Sequence, residues 1–175
     1  MLKKINIYLL LLLFAGCGYT TRGFLDASYK TIFVKPVVNE VSITDEMQED
    51  TEYRSVPPLI ENRFTNALLD RFNLDGNLKA SDEYSADLIL SCRIIDYSRD
   101  AIRFDDSEDV EEQRLRIDYA FTLADRSGNA VKEKTLVAYE EYAQSGSSAS
   151  TEEAALSVLL DDAARRLVED IIESW

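Results

Sequence analysis

Arg114-Leu115-Arg116-Ile117-Asp118-Tyr119-Ala120-Phe121-Thr122-Leu123 alternates bulky apolar side chains with mostly polar ones. A period of two is the spacing at which a strand sends successive side chains to opposite faces. Leu115, Ile117, Tyr119, Phe121 and Leu123 therefore read as the inward face, with Arg114, Arg116, Asp118 and Thr122 outward. Asp125-Arg126-Ser127-Gly128-Asn129 follows, a tight-turn composition in which Gly128 supplies the positive φ. The chain resumes as strand from Val131 to about Tyr142, where the apolar alternation is too weak to fix the facing. The rest of the chain has to cover the apolar side of this hairpin.

Upstream, Thr31-Ile32-Phe33-Val34-Lys35-Pro36-Val37-Val38-Asn39 is β-branched and aromatic and reads as a first strand. Pro36 has no N–H for a ladder, which points to an edge position or a bulge. Residues 40–54 are polar and acidic without an apolar period, as in a mobile loop or a docking segment. A helix follows: Ser55 is placed to cap it and Pro57-Pro58 suit a first turn. Ile60, Phe64, Ala67, Leu68 and Arg71 share its face, with Leu59 and Phe72 flanking, and Asn73-Leu74-Asp75-Gly76-Asn77 ends it.

The next strand is Asp87–Tyr97, with Leu88, Leu90, Cys92 and Ile94 on one face and Ile89, Ser91, Arg93, Ile95 and Tyr97 on the other. Cys92 then reads as a small core residue, the alternative being a reactive thiol. Residues 99–112 are polar, and Asp105-Asp106-Ser107-Glu108-Asp109 suits a solvated hairpin tip. Calcium is the other reading of that run, but it lacks the spacing, mid-loop glycine and closing glutamate of an EF-hand.

After a Ser/Gly-rich loop, Ser150-Thr151-Glu152-Glu153 reads as a capping box from Ser150 to Glu153. Leu156, Leu159, Leu160, Ala163, Leu167, Ile171 and Trp175 then mark one helical face, widened by Val158, Val168 and Ile172. Packing on a sheet fits this face better than a coiled coil or a helix lying on a membrane, because the opposite face is acidic. The order β-α-β-β-β-α predicts an α+β fold, two helices packed on one face of a four-stranded, mostly antiparallel sheet.

Ahead of the fold stands a leader. Lys3 and Lys4 precede an apolar run from Ile5 to Phe14, and Ala15-Gly16 lead into Cys17. The run has signal-peptide length, well short of a bilayer span. Small residues directly before a cysteine are the pattern of a bacterial lipoprotein signal: the Cys17 thiol takes a diacylglycerol, and cleavage precedes Cys17. More than one acyl chain is needed for stable anchoring. Gly18 rather than Asp follows the cysteine, which favours the outer membrane, periplasmic side. The expected organisation is a signal peptide over 1–16, a lipidated tether over 17–29 and one α/β sandwich domain over 30–175.

The formal charge is −14, and removing Lys3 and Lys4 would make it two units more negative. So acidic a chain does not suit nucleic acid. With Cys17 acylated, Cys92 has no disulfide partner. There is no histidine, which removes Ser-His-Asp and Cys-His nucleophiles, His-containing zinc sites and imidazole bases. No phosphate-binding glycine loop occurs either, and no cofactor is expected. A carboxylate hydrolase using Asp105 and Asp106, or Glu111 and Glu112, would need a desolvation that adjacent acids in a polar loop lack. The reading is of a protein that is not an enzyme.

In this acidic background the outward cations stand out: Arg93, Arg114 and Arg116, with Lys132 and Lys134 on the next strand if its register permits. Two readings compete. The five form a stripe for a phosphorylated or carboxylated glycolipid head, or they pair across strands with acids such as Asp118 and Glu133 on a solvated face.

Cys17-Gly18-Tyr19 with Arg22-Gly23-Phe24, the strand ending at Asn39, Ala86-Asp87-Leu88-Ile89-Leu90, the Asp125 to Gly128 turn and the closing amphipathic helix together resemble the lipopolysaccharide-assembly lipoprotein family, LptE. The acidic stretches after the first and second strands depart from that pattern. The resemblance implies an outer-membrane lipoprotein that plugs a large β-barrel translocon (LptD-like), supports its assembly and helps deliver lipopolysaccharide to the outer leaflet. It also implies direct lipopolysaccharide binding through basic residues, without fixing which. A subunit of a cell-wall synthase or of another secretion complex would share the anchor and the α/β body.

Overall fold

The computed structural model describes residues 28–41, 56–146 and 148–173. The leader, Cys17, most of the tether, residues 42–55 with Ser55, and Trp175 lie outside the described residues. Strands β1 (Thr31–Val34) and β2 (Val38–Asn39) lead to helix α1 (Ile60–Asp75). Strands β3 (Lys79–Ala80), β4 (Leu88–Phe104), β5 (Val110–Asp125) and β6 (Ala130–Ala143) follow, then helix α2 (Glu152–Ile172). No helix among the described residues is long and apolar enough to cross a membrane.

The sheet order is β3-β1-β4-β5-β6, with β2 also on β4. The β4–β5 and β5–β6 pairs are antiparallel, whereas β1, β2 and β3 join in parallel. The α+β class, with two helices on a mostly antiparallel sheet, is the expected one. The strand number is not: the sheet has six strands, because β2 and β3 add to the four foreseen.

Hydrogen-bond supply explains both additions. Lys35 N–H donates to Leu90 O and Glu40 N–H to Ile94 O, each at 2.9 Å, so the first segment follows β4 throughout. Between them Pro36 has no donor, and the Val37 N–H turns away to Thr65 Oγ1 of α1 at 2.9 Å. One expected strand is thus split in two. Strand β3 forms where the chain leaves α1 at Gly76 (φ 76) and runs back beside β1. Asp87 pins β1 to β4: its carboxylate accepts from Lys30 N, Thr31 N and Thr31 Oγ1 at 2.9–3.1 Å. Those bonds, led by the Lys30 N–H, hold its pKa below the ordinary value.

Strand β4 runs seven residues beyond the predicted end at Tyr97, to Phe104, and the polar stretch 99–112 is mostly strand. Arg103 bridges Glu111 and Glu112 at 3.5 and 3.2 Å, so charge pairing replaces apolar packing along these arms. Only residues 105–109 form the tip. Tyr97 faces the core, contrary to its expected outward place. Ile94 pairs with Tyr119 but Asp96 with Asp118, so Ile95 is an extra residue, and the bulge reverses the alternation. Tyr97 then shares a face with Ile117 and is 1% exposed.

The core is one cluster. Leu88, Leu90, Cys92, Ile94, Leu115, Ile117, Tyr119, Phe121 and Leu123 meet both helices there. Tyr119 joins the layers: Phe64 of α1 packs edge-on against its ring at 5.3 Å, and its hydroxyl donates to Ala163 O of α2 at 2.9 Å. Both helices therefore lie on the same side of the sheet. Helix α1 buries Ile60, Phe64, Leu68 and Phe72, so Phe72 belongs to the core and does not flank it. Pro57 and Pro58 precede the helix, which starts after Leu59 in the left-handed region (φ 59). Arg71 reaches Glu169 of α2 at 3.3 Å. Helix α2 is capped by Thr151, one residue later than expected, with Thr151 Oγ1 accepting from Ala154 N at 3.1 Å. Val158 is exposed and lies outside the buried stripe.

Candidate binding face

With both helices on one side, the other side of β4, β5 and β6 carries no helix among the described residues. Cross-strand partners share a face, so the register assigns each cation. Arg93 pairs with Ala120, Arg116 with Ser98 and Tyr139, and Arg114 with Asp100 and Glu141. All three arginines stand on the open face. Arg114 and Arg116 are neighbours on β5. Arg93 pairs four residues further along that strand, roughly 13 Å away. The Asp96–Asp118 pair lies between.

Lys132 and Lys134 are elsewhere. They pair with Leu123 and Phe121, residues of the covered face, so the expected five-residue stripe does not form. The physical reason is parity: Lys132 and Lys134 are in phase with Leu136 and buried Ala138, so they fall on the face that α2 covers. Asp170 of α2 takes both lysines. Lys132 Nζ is 2.6 Å from Asp170 Oδ2, and Lys134 Nζ bonds Asp170 Oδ1. Burial would raise the Asp170 pKa, but the hydrogen bonds from Lys132 and Lys134 outweigh it and hold the carboxyl below its ordinary value.

On the open face each arginine has a local carboxylate. Arg116 is bidentate to Asp118 on its own strand, Nε–Oδ1 at 2.8 Å and an Nη at 2.9 Å from Oδ2. Arg114 bonds Glu141 Oε1 across to β6, and its guanidinium lies 5.3 Å from the centre of the Tyr139 ring. The Glu141 hydrogen bond raises the Arg114 pKa further. Arg93 is 3.6 Å from Glu40. Ion pairs this exposed are weak, about 0–1 kcal/mol each. A phosphate or carboxylate ligand can exchange for such partners without unfolding anything. Cys92 sits on the covered face, and burial pushes its thiol up to about 12, which makes it an inert core residue.

Sequence reading found the three open-face arginines but missed Asp170, because a helical carboxylate opposite an edge strand has no local signature. It also missed the Tyr139 platform under Arg114, because β6 alternates too weakly to show its facing.

A family model described as lipopolysaccharide-assembly, LptE, matches residues 29–173. Comparison with curated protein sequences finds no match. Among solved structures the chain is similar to the hypothetical protein CT253 from Chlamydia trachomatis, at 11% identity and a TM-score of 0.56, covering 82% of this chain and 95% of that one. It is similar to protein XCC0632 from Xanthomonas campestris, at 12% identity and a TM-score of 0.52, covering 88% and 90%. It is also similar to an uncharacterized lipoprotein B from Nitrosomonas europaea, at 13% identity and a TM-score of 0.50, covering 82% and 83%. At these identities the likeness is one of fold.

Proposed function

The chain belongs to the LptE lipopolysaccharide-assembly family, matched from β1 to the end of α2, and from that premise we propose that it is the plug subunit of an outer-membrane β-barrel translocon. It is a lipopolysaccharide-assembly lipoprotein, anchored through Cys17 on the periplasmic side. It supports the assembly of a large LptD-like barrel and helps deliver lipopolysaccharide to the outer leaflet, without catalysis of its own.

The observation that carries this reading, beside the family match, is the asymmetry of the sheet. One face holds the core, and the other is an ion-paired surface that stays soluble in a hydrated barrel lumen. Arg93, Arg114 and Arg116 are the open-face groups available to anionic parts of lipopolysaccharide, exchanging Glu40, Asp118 and Glu141 for phosphate or carboxylate. Lys132 and Lys134 are on the other side and are not part of this surface.

The test is purification of the tagged, full-length chain from outer membranes in detergent. Co-purification of a translocon-sized barrel supports the plug reading. Recovery of cell-wall synthases or of another secretion complex transfers the chain to the alternative class. Charge reversal of Arg93, Arg114 and Arg116 together should lower lipopolysaccharide binding several-fold; unchanged binding returns them to plain surface.

A further inference from the structure

Charge pairing is uneven over the open face. Every arginine among the described residues has a carboxylate partner, as do Lys132 and Lys134, whereas Lys30, Lys35 and Lys79 have none there. In a chain of formal charge −14 an unpaired cation is the exception. Ile32 and Val34 are buried against the helices, so Phe33 and Lys35 belong to the open face. One residue past the Val34–Leu90 pair, the Lys35 N–H donates to Leu90 O at 2.9 Å, which sets Lys35 beside Ser91. Arg93 follows two residues along β4 on the same face, the two Cα atoms roughly 8 Å apart. Arg93 is also the loosest of the three paired arginines. It stands 3.6 Å from Glu40, beyond hydrogen-bond length, whereas Arg116 is bidentate to Asp118 at 2.8 and 2.9 Å and Arg114 bonds Glu141 at 3.0 Å. Asp96, Asp100, Asp118 and Glu141 crowd the face around those two. Beside Lys35 and Arg93 the face is uncharged instead, formed by Ser91, Thr122, Ala120 and the Ile89–Ala124 pair. Val38 flanks Arg93 and is 54% exposed.

We propose that Lys35 and Arg93 form the subsite that holds a phosphate of the glycolipid headgroup, with Glu40 giving way, and that Arg114 and Arg116 contribute less. The proposal rests on the lipopolysaccharide-binding reading and assigns its strongest contact. An ammonium and a guanidinium at this spacing can close on one phosphate from two sides. Lys35 has no carboxylate to release among the described residues, so its contact is a net gain, whereas Arg116 has to surrender two hydrogen bonds to Asp118. Phe33, Val38 and Ile89 border the subsite with apolar surface, and the flat sheet encloses no small ion. That combination suits a phosphate carried on a lipid better than free phosphate. The opposing acid is Glu133, which pairs with Thr122 and lies three strand spacings from Lys35, roughly 14 Å away. One chain makes the whole subsite, as a plug requires.

The experiment measures binding of lipopolysaccharide, of the same lipopolysaccharide stripped of its phosphates, and of inorganic phosphate to the full chain in detergent. Lys35→Gln and Arg93→Gln should each weaken lipopolysaccharide binding about tenfold, and Lys35→Arg should restore it. Arg114→Gln and Arg116→Gln should each cost less than Lys35→Gln. Lys134→Gln removes the same charge on the covered side and should leave binding within about twofold of wild type. Phosphate-free lipopolysaccharide should bind wild type as weakly as intact lipopolysaccharide binds Lys35→Gln, and should not distinguish the two proteins. Lipopolysaccharide binding that survives Lys35→Gln but is lost on reversing the three arginines would overturn the subsite and keep the broader reading. Equal losses in Lys35→Gln and Lys134→Gln, or displacement by equimolar inorganic phosphate, would also overturn it. A wild-type chain that binds no lipopolysaccharide would overturn the broader reading and the subsite with it.

Discussion

The two faces of the sheet handle charge in opposite ways. On the covered face apolar burial does the work, and the two cations that fall there, Lys132 and Lys134, are tied to one helical carboxylate, Asp170. On the open face Arg93, Arg114 and Arg116 each take a separate carboxylate at the surface. The difference follows from desolvation. Lys132 and Asp170, 21% and 16% exposed, have lost most of their water and depend on each other, whereas Lys134 and the open-face arginines stay about half exposed and hold their partners loosely. Stability resides on one side, and exchangeable polar contacts are left to the other.

The comparison predicts a graded set of losses. Phe64→Ala, which removes the ring packed on Tyr119, should cost about 3–5 kcal/mol in denaturant unfolding. A comparably small loss would mean that α1 is not seated on the sheet as described. Cys92→Ser places a hydroxyl in the apolar layer and should cost about 1–3 kcal/mol while leaving partner recovery intact. The native thiol should resist maleimide until the chain unfolds, since burial holds its pKa at about 12.

Asp170→Asn should cost roughly 1–2 kcal/mol at neutral pH, because Lys132 loses its carboxylate in a half-buried site. Its pH dependence has a fixed sign. The folded-state pKa of Asp170 is depressed, so its contribution is complete above the unfolded carboxylate value and disappears as pH falls through the folded one. Wild type and variant should converge in acid; a gap that persists there would assign the loss to packing. Smallest is Arg116→Gln on the open face, about 0–1 kcal/mol and reduced further by salt. A loss as large as that of Asp170→Asn would erase the distinction between the faces.

How much of this was legible in the sequence depends on what each residue reports. The alternation from Leu115 to Leu123 names the core face of β5 correctly, because a strand buried on one side writes its facing into every second residue. Phe64 and Leu68 do the same for α1. Tyr97 was misread because one extra residue, Ile95, reverses parity without any marker in composition. Residues 99–112 were read as loop because charge pairs, not apolar residues, hold those arms together. At the tip, Asp105 accepts from Ser107 N and Asp109 N as Asp125 accepts from Ser127 N and Asn129 N. Both turns are legible, the second from Gly128 and the first from its run of acids, which suits a solvated hairpin tip; there Glu108 takes the positive φ (67) that Gly128 takes in the second. In the candidate site the three arginines were visible as outward residues of clear strands. The two lysines were misassigned because their facing depends on a register that only the assembled sheet determines.

The central claim is that this lipoprotein serves lipopolysaccharide assembly, and depletion in the bacterium that makes it tests that most directly. Lipopolysaccharide reaching the cell surface should be measured by its modification with an outer-leaflet enzyme, while the chain is shut off and then restored. The account predicts that surface arrival falls as the chain is lost, with newly made lipopolysaccharide held back inside the envelope, and recovers on restoration. Undiminished arrival in cells emptied of the chain would contradict it.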